Sequence, residues 1–243
     1  MHNKTLQAAA TDPRIHAGAD AVDAVIRSRR AVRVFRTDPV SRADIAAILD
    51  VAATAPSNSN TQPWQVHVLT GRARRELSEA LGQAHLANSY PPLQHIPDPL
   101  PDPCRHRQED FGARYYGVLG IAKDDLAARA RATGRNFDFF GAPVGLIFTI
   151  DASFKRHSWL DYGLFLQTLM IAARARGLDT CAQVSFARYQ ELIAQQLQLE
   201  PGHDVVCGMS LGYADDDAQL NRLSMPREPV ERFARFLGFD DES

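Results

Sequence analysis

Two stretches in the second half of the chain constrain the fold most. Val144-Gly145-Leu146-Ile147-Phe148-Thr149-Ile150 is a nearly continuous apolar run, the pattern of a strand buried on both faces. Leu160 to Arg176 follows, with Leu164, Phe165, Leu166, Leu169, Met170, Ile171 and Ala172 spread over more than one helical face. A helix that is apolar all round belongs in a core or an interface. With no repeat, linker or shift of composition elsewhere, the chain reads as one α+β domain. A few strands alternate with longer helices around a mixed sheet.

The other elements follow from local signals. Asp20 to Arg30 is expected to be a helix, passing into an extended arm through Val32, Val34 and Phe35. Ser41 to Thr54 is a helix with Ser41 as N-cap and Asp44 completing an acidic capping box. Gln65 to Thr70 alternates like a strand and stops at Gly71, and Arg72 to Leu86 is an amphipathic helix. Asn88 to Pro103 holds six prolines and reads as an irregular lid or crossing segment. Glu109 to Thr133 looks helical with a break near Gly117 to Gly120. Gly177 caps the apolar helix. Thr180 to Val184 is a short strand, Phe186 to Gln198 a helix, and Val205 to Gly212 the last strand. Glu228 to Phe239 is expected to form a short amphipathic helix. Residues 1–19 are expected to be a flexible N-terminal segment, and residues 20–243 the domain.

Composition closes several routes. A formal charge of -2 over 243 residues argues against nucleic acid as a partner. No run is apolar enough for a membrane span. Cys104, Cys181 and Cys207 are odd in number and widely spaced, which implies neither a disulfide framework nor a zinc site and suits a reducing cytoplasm. The eight histidines show no ligand spacing, so no metal is expected. There is no phosphate-binding G-x-x-x-x-G-K-[ST] loop and no G-x-G-x-x-G after a strand.

What remains is a pair of clusters. Arg27, Arg29, Arg30 and Arg33 fall within seven residues, and the loop Ala55-Pro56-Ser57-Asn58-Ser59-Asn60-Thr61-Gln62-Pro63-Trp64 follows. Four arginines near a helix end are most often a solvated face, and an Asn-rich loop is as often a turn as a site. Together they also suit an anionic ligand carrying a heterocycle. Guanidinium groups fork onto phosphate, and side-chain amides match a ring edge that bears both carbonyls and N–H groups.

The order Ser28-Arg29-Arg30-Ala31-Val32-Arg33-Val34-Phe35, then Ala55-Pro56-Ser57 through Asn60-Thr61-Gln62-Pro63-Trp64, resembles the flavin-dependent nitroreductase family. Further segments agree in the same order. They are Phe140-Gly141-Ala142-Pro143, Asp161-Tyr162-Gly163, Arg176-Gly177-Leu178-Asp179, Gly208-Met209 to Gly212-Tyr213, Asn221-Arg222-Leu223 and Arg227-Glu228-Pro229. The similarity runs from about Ala21 to Leu237, and the proline-rich middle and Trp159-Leu160-Asp161 resemble the branch that includes nitrobenzoate and nitrobenzene reductases.

The resemblance implies a three-layer fold in an intertwined homodimer, with FMN at the interface and NADH or NADPH as donor. Arg29, Arg30, Ala31 and Arg33 match the motif for the phosphate and the pyrimidine side of the ring, and Arg227 matches a late arginine on the phosphate. Pro56, Ser57, Asn58 and Asn60 match the loop that a partner subunit lays against the flavin. Gln183, Val184 and Ser185 match a segment whose backbone approaches the ring. Ala31 stands where a serine is common, and Met225 where some members carry a basic residue; both departures weaken phosphate contacts.

The activity so implied is ping-pong hydride transfer from NAD(P)H through the flavin to a small aromatic acceptor, nitro or quinone-like. Arg33 is the expected electrostatic stabiliser, and no side chain is assigned as acid, base or nucleophile. Two other readings stand beside it: an FMN-dependent reductase of an enone, a halophenol or flavin itself, and a flavin-binding module without turnover.

Overall fold

The computed structural model of the chain describes residues 13–90, 92 and 96–238. Its helices are α1 Pro13–Ser28, α2 Arg42–Ala52, α3 Gly71–Leu86, α4 Asp102–Val118, α5 Leu126–Gly134, α6 Arg156–Arg174 and α7 Gln190–Leu197. The strands are β1 Gln65–Thr70, β2 Val144–Asp151, β3 Asp179–Gln183 and β4 His203–Gly212. They form one sheet in the order β1-β2-β4-β3, antiparallel at each pairing. Where a mixed sheet was expected, the only parallel pairing among the described residues is an isolated bridge between Ala31 and Thr180.

The apolar run over β2 is explained by two separate cores. Leu146, Phe148 and Ile150 point into a cluster with Ile45 and Ile48 of α2 and Phe165 and Leu169 of α6. Ile147, between them, joins Leu77 and Leu81 of α3, Phe139, Phe186 and Ile193 on the opposite face. Side chains alternate across a strand, so a sheet covered on both sides needs apolar residues at every position. The result is three layers, helix–sheet–helix.

Two contacts lock this sheet. Gly145 and Gly208 leave room for aromatic rings: a Cβ at Gly145 would lie 2.6 Å from the Phe139 ring, and one at Gly208 2.6 Å from the Phe186 ring. Phe139 reaches this place from a left-handed backbone conformation at φ 49°. The β2–β4 register shifts between Phe148 and Thr149. There the Tyr162 hydroxyl lies 2.9 Å from the carbonyl oxygens of both Thr149 and Gln65, and shares its one proton between them.

Several boundaries differ from expectation. α1 begins at Pro13 rather than Asp20 and ends at Ser28 rather than Arg30. α4 starts at Asp102, inside the proline-rich stretch, because Pro103 sits at a first-turn position where its missing N–H costs nothing. The break near Gly117 to Gly120 is real: Gly120 takes φ 65° and α5 starts only at Leu126. Residues Val184–Tyr189 form a 3-10 turn before α7. The tail is mostly irregular, with one 3-10 turn over Val230–Arg232 in place of a helix. Ser41 caps α2 as expected, accepting the Asp44 N–H at 3.0 Å and donating to the Asp44 carboxylate at 2.6 Å.

Candidate functional site

Helix α1 stops at Ser28 and the chain runs on as an arm that crosses the end of the sheet. Val32 donates its N–H to Thr180 O of β3 at 3.1 Å. By Arg36 the partner is Tyr213 O, just past β4, at 2.9 Å, and Phe35 bridges Ala214. The arm thus passes from the outer edge of β3 to the extension of β4. Between these two anchorages lie Arg33 and Val34; the Asp215 N–H donates to Val34 O at 3.0 Å, and a side chain supplies the other contacts. The Asn221 Oδ1 accepts the N–H of Arg33 at 2.9 Å and of Val34 at 3.2 Å. Its Nδ2 donates to Val34 O at 2.7 Å and Asp215 O at 2.9 Å.

A cleft of about 950 Å³ opens beside this arm. Arg29, Arg30, Ala31, Arg33 and Arg227 all line it, so the structure brings together residues nearly two hundred positions apart in sequence. Ser28, Arg174 and the segment Asn221 to Met225 complete its wall.

The arginines are not equivalent. Arg30 pairs with Asp216 at 2.9 Å, and its Nε is buried without a hydrogen-bond partner. Arg174 is held by Asp179 at 3.1 Å and by the Ser28 hydroxyl at 3.0 Å. Burial pushes the Asp179 carboxyl above its usual value, against the pull of Arg174 and Arg30. Arg33 donates to Ala31 O at 3.3 Å, and its guanidinium lies 5.4 Å from the ring centroids of both Phe111 and Tyr115 on α4. Arg227 folds back onto Met225 O and Pro226 O. The Arg29 side chain has neither hydrogen bond nor ion pair among the described residues, although it faces the cleft. It is the cation most available to a ligand.

Gln183, Val184 and Ser185 lie at the far end of β3, three residues beyond the Thr180 bridge, a distance of about 10 Å along a strand. The Gln183 amide is engaged inside the protein: it donates to Asn136 O at 2.7 Å and accepts from the Ser210 hydroxyl at 2.9 Å. Val184 is exposed, and the Ser185 hydroxyl is buried without a partner.

Pro56, Ser57, Asn58 and Asn60 do not line the arginine cleft of their own chain. They form an exposed turn that holds its own shape. The Ser57 hydroxyl accepts the Gln62 N–H at 3.0 Å, Gln62 donates to the Asn60 amide oxygen at 3.1 Å, and Asn60 takes φ 57°. A left-handed, internally bonded loop with its amides in solvent is a prepared surface rather than a slack connection. Asn221 was quoted within a motif but not singled out as a site residue; nothing local marks it, since its partners are far away in sequence. Among the described residues no cluster of His, Cys, Asp or Glu is arranged to hold a metal.

The Nitroreductase family model matches residues 26–213. The chain is 59% identical over 221 residues to a 4-nitrobenzoate reductase of Pseudomonas putida, covering 91% of this chain and 97% of that one. It is 42% identical to the nitrobenzene nitroreductase of Ectopseudomonas oleovorans, covering 89% of this chain and 96% of the relative. The crystal structure of the FMN-dependent nitroreductase NfnB of Mycobacterium smegmatis, in complex with NADPH, superposes with a TM-score of 0.85 at 35% identity, covering 90% of this chain and 98% of that chain. With a family model matching most of its length and a relative 59% identical over nearly all of it, this chain belongs to the nitroreductase family.

Proposed function

We propose that this chain is an FMN-dependent NAD(P)H oxidoreductase that reduces nitroaromatic acceptors, with nitrobenzoates as the first class to test. The observation that carries this reading is the arginine cleft on the β3 edge. Among the described residues the Arg29 side chain has no hydrogen bond or ion pair there, and the Arg30 Nε is buried without a partner. Both features fit an anionic group bound along the arm.

Bound FMN would supply the hydride chemistry, taking two electrons from the nicotinamide donor and passing them to the acceptor in a ping-pong sequence. The protein's task is to bind and orient. Arg29, Arg30 and Arg227 hold the phosphate, and the Ala31 methyl contributes no hydroxyl there. Arg33, steadied between Ala31 O and the rings of Phe111 and Tyr115, supplies fixed positive charge that favours the electron-rich state of the cofactor. The backbone of Gln183 to Ser185 faces the ring. Pro56, Ser57, Asn58 and Asn60 act on the site of a second subunit.

A homodimer is supported by the faces left open in one chain. Trp159, Leu160 and Leu164 of α6 are 42%, 68% and 39% exposed, an unusual state for a helix this apolar. The three cysteines carry no disulfide, which suits a reducing cytoplasm. No helix among the described residues is long and apolar enough to cross a membrane.

The test is direct. The purified protein is expected to be yellow, to be bleached anaerobically by NADPH or NADH, and to regain colour on adding 4-nitrobenzoate. Light scattering is expected to give twice the chain mass. A colourless protein that added FMN does not reconstitute overturns the reading.

A further inference from the structure

In the arm that carries Arg33, the Asp215 N–H donates to Val34 O at 3.0 Å, while the N–H groups of Arg33 and Val34 are both met by Asn221. A carboxamide offers two donors and two acceptor lone pairs. All four are used, at 2.7 to 3.2 Å, by backbone groups of Arg33, Val34 and Asp215. Asn221 is 1% exposed, so no water competes for them. The pairing also fixes which way the amide faces, because exchanging its oxygen and nitrogen would set donors against N–H groups.

This network sits where the arm changes partner. Val32 is tied to β3 and Arg36 to the segment after β4, while Arg33 lies in the gap between. Its guanidinium is held by the rings of Phe111 and Tyr115, which constrain direction weakly, and by a long 3.3 Å hydrogen bond to Ala31 O. The origin of the Arg33 side chain is therefore set by Asn221.

We propose that Asn221 is a positioning residue that tunes the redox equilibrium of the cofactor by holding Arg33. It touches no reactant, and it acts through the backbone of the residue it braces. The inference rests on the FMN reading above and on the electrostatic role given there to Arg33.

The experiment is a double-mutant cycle read by the midpoint potential of bound FMN, with Tm and FMN affinity recorded in parallel. Arg33→Met is expected to disfavour the reduced cofactor by about tenfold, about 30 mV for a two-electron couple. Asn221→Ala is expected to shift the potential in the same direction in the parent, and to add nothing in the Arg33→Met background. Asn221→Gln keeps the amide chemistry but lengthens it by a methylene; it serves if the alanine variant does not fold, and the same non-additivity is expected. In the cofactor-free protein, hydrogen exchange at the Arg33 and Val34 amides is expected to quicken selectively in either variant.

An equal shift in both backgrounds overturns the proposal. So does a fall in Tm with no shift of potential, because a purely structural brace would do that. If Arg33→Met leaves the potential of bound FMN unchanged, the role of Arg33 falls and this proposal with it, while the FMN reading stands. If no variant and no parent protein binds FMN, the functional reading itself is at fault.

Discussion

The guanidinium of Arg30 and the carboxylate of Asp216 meet at 2.9 Å across 186 residues of sequence, on the wall of the arginine cleft. Asp216 is largely solvent-exposed, so the pair adds little to stability. Its chief effect is to give Arg30 an anionic partner before a ligand arrives. Asp216→Asn is therefore expected to tighten FMN binding by up to about fivefold, with Tm nearly unchanged, as a surface pair is worth about 0–1 kcal/mol. Fluorescence titration of the cofactor-free protein measures this, and weaker binding would contradict it.

Arg29 has the opposite status, its side chain having no hydrogen bond or ion pair among the described residues to lose. Arg29→Ala is expected to loosen FMN by about 10- to 100-fold, the worth of one charge-assisted hydrogen bond at about 1.5–3 kcal/mol. The stability of the cofactor-free protein should not move. A comparable loss of Tm without FMN would show that Arg29 serves the fold instead.

Gly208 faces the Phe186 ring, in the turn that begins with Val184 and Ser185. In Gly208→Ala the new methyl must displace that ring. Overpacking of this kind costs about 1–3 kcal/mol, or about 2–4 °C in Tm for each kcal/mol at this chain length. Because the displaced turn follows directly from β3, cofactor affinity is expected to fall as well. Thermal unfolding with and without added FMN separates the two effects.

The elements that were legible in the sequence are those whose signal is local. β2 and α6 announce themselves by unbroken apolarity, α2 by the Ser41–Asp44 box, and the arm by its arginines. The tail misled because Val230, Phe233 and Leu237 have helical spacing, yet in this chain they pack on no core and stay exposed. Without burial an apolar stripe stabilises no helix. In the site, the cleft-lining arginines were readable as a group, but their different partners were not. That Gln183 spends its amide on Asn136 and Ser210, or that Asn221 braces Arg33, depends on contacts that only the folded sheet creates.

Tyr162 tests the weak point of the sheet. Its hydroxyl covers two carbonyls beside the register shift at Phe148 and Thr149, and burial drives its ionisation far above the usual phenol range. Tyr162→Phe leaves both carbonyls without that donor and is expected to cost about 1–3 kcal/mol. Chemical denaturation measures the loss, and a change under about 0.5 kcal/mol would mean that water replaces the hydroxyl.

His67 links stability to pH. Burial first, and then the charge of His203, holds its pKa below the ordinary 6.5. The unfolded chain therefore takes up this proton before the folded one does. The stabilisation it represents is complete above pH 6.5, declines as pH falls below that value, and is gone below the folded pKa. His67→Gln removes this term, so Tm should fall less steeply than in the parent between pH 6.5 and 5. Parallel slopes would show that other groups carry the acid sensitivity.

The arm over Arg29 to Phe35 has one more consequence. β3 is the last strand of the sheet, and the contact at Val32 and Thr180 covers part of its outer edge. An uncovered edge is a template on which other chains add strands and aggregate. The segment proposed to recruit the anion thus also shields the sheet edge. A shortened chain beginning after Phe35 is expected to lose solubility together with the proposed cofactor.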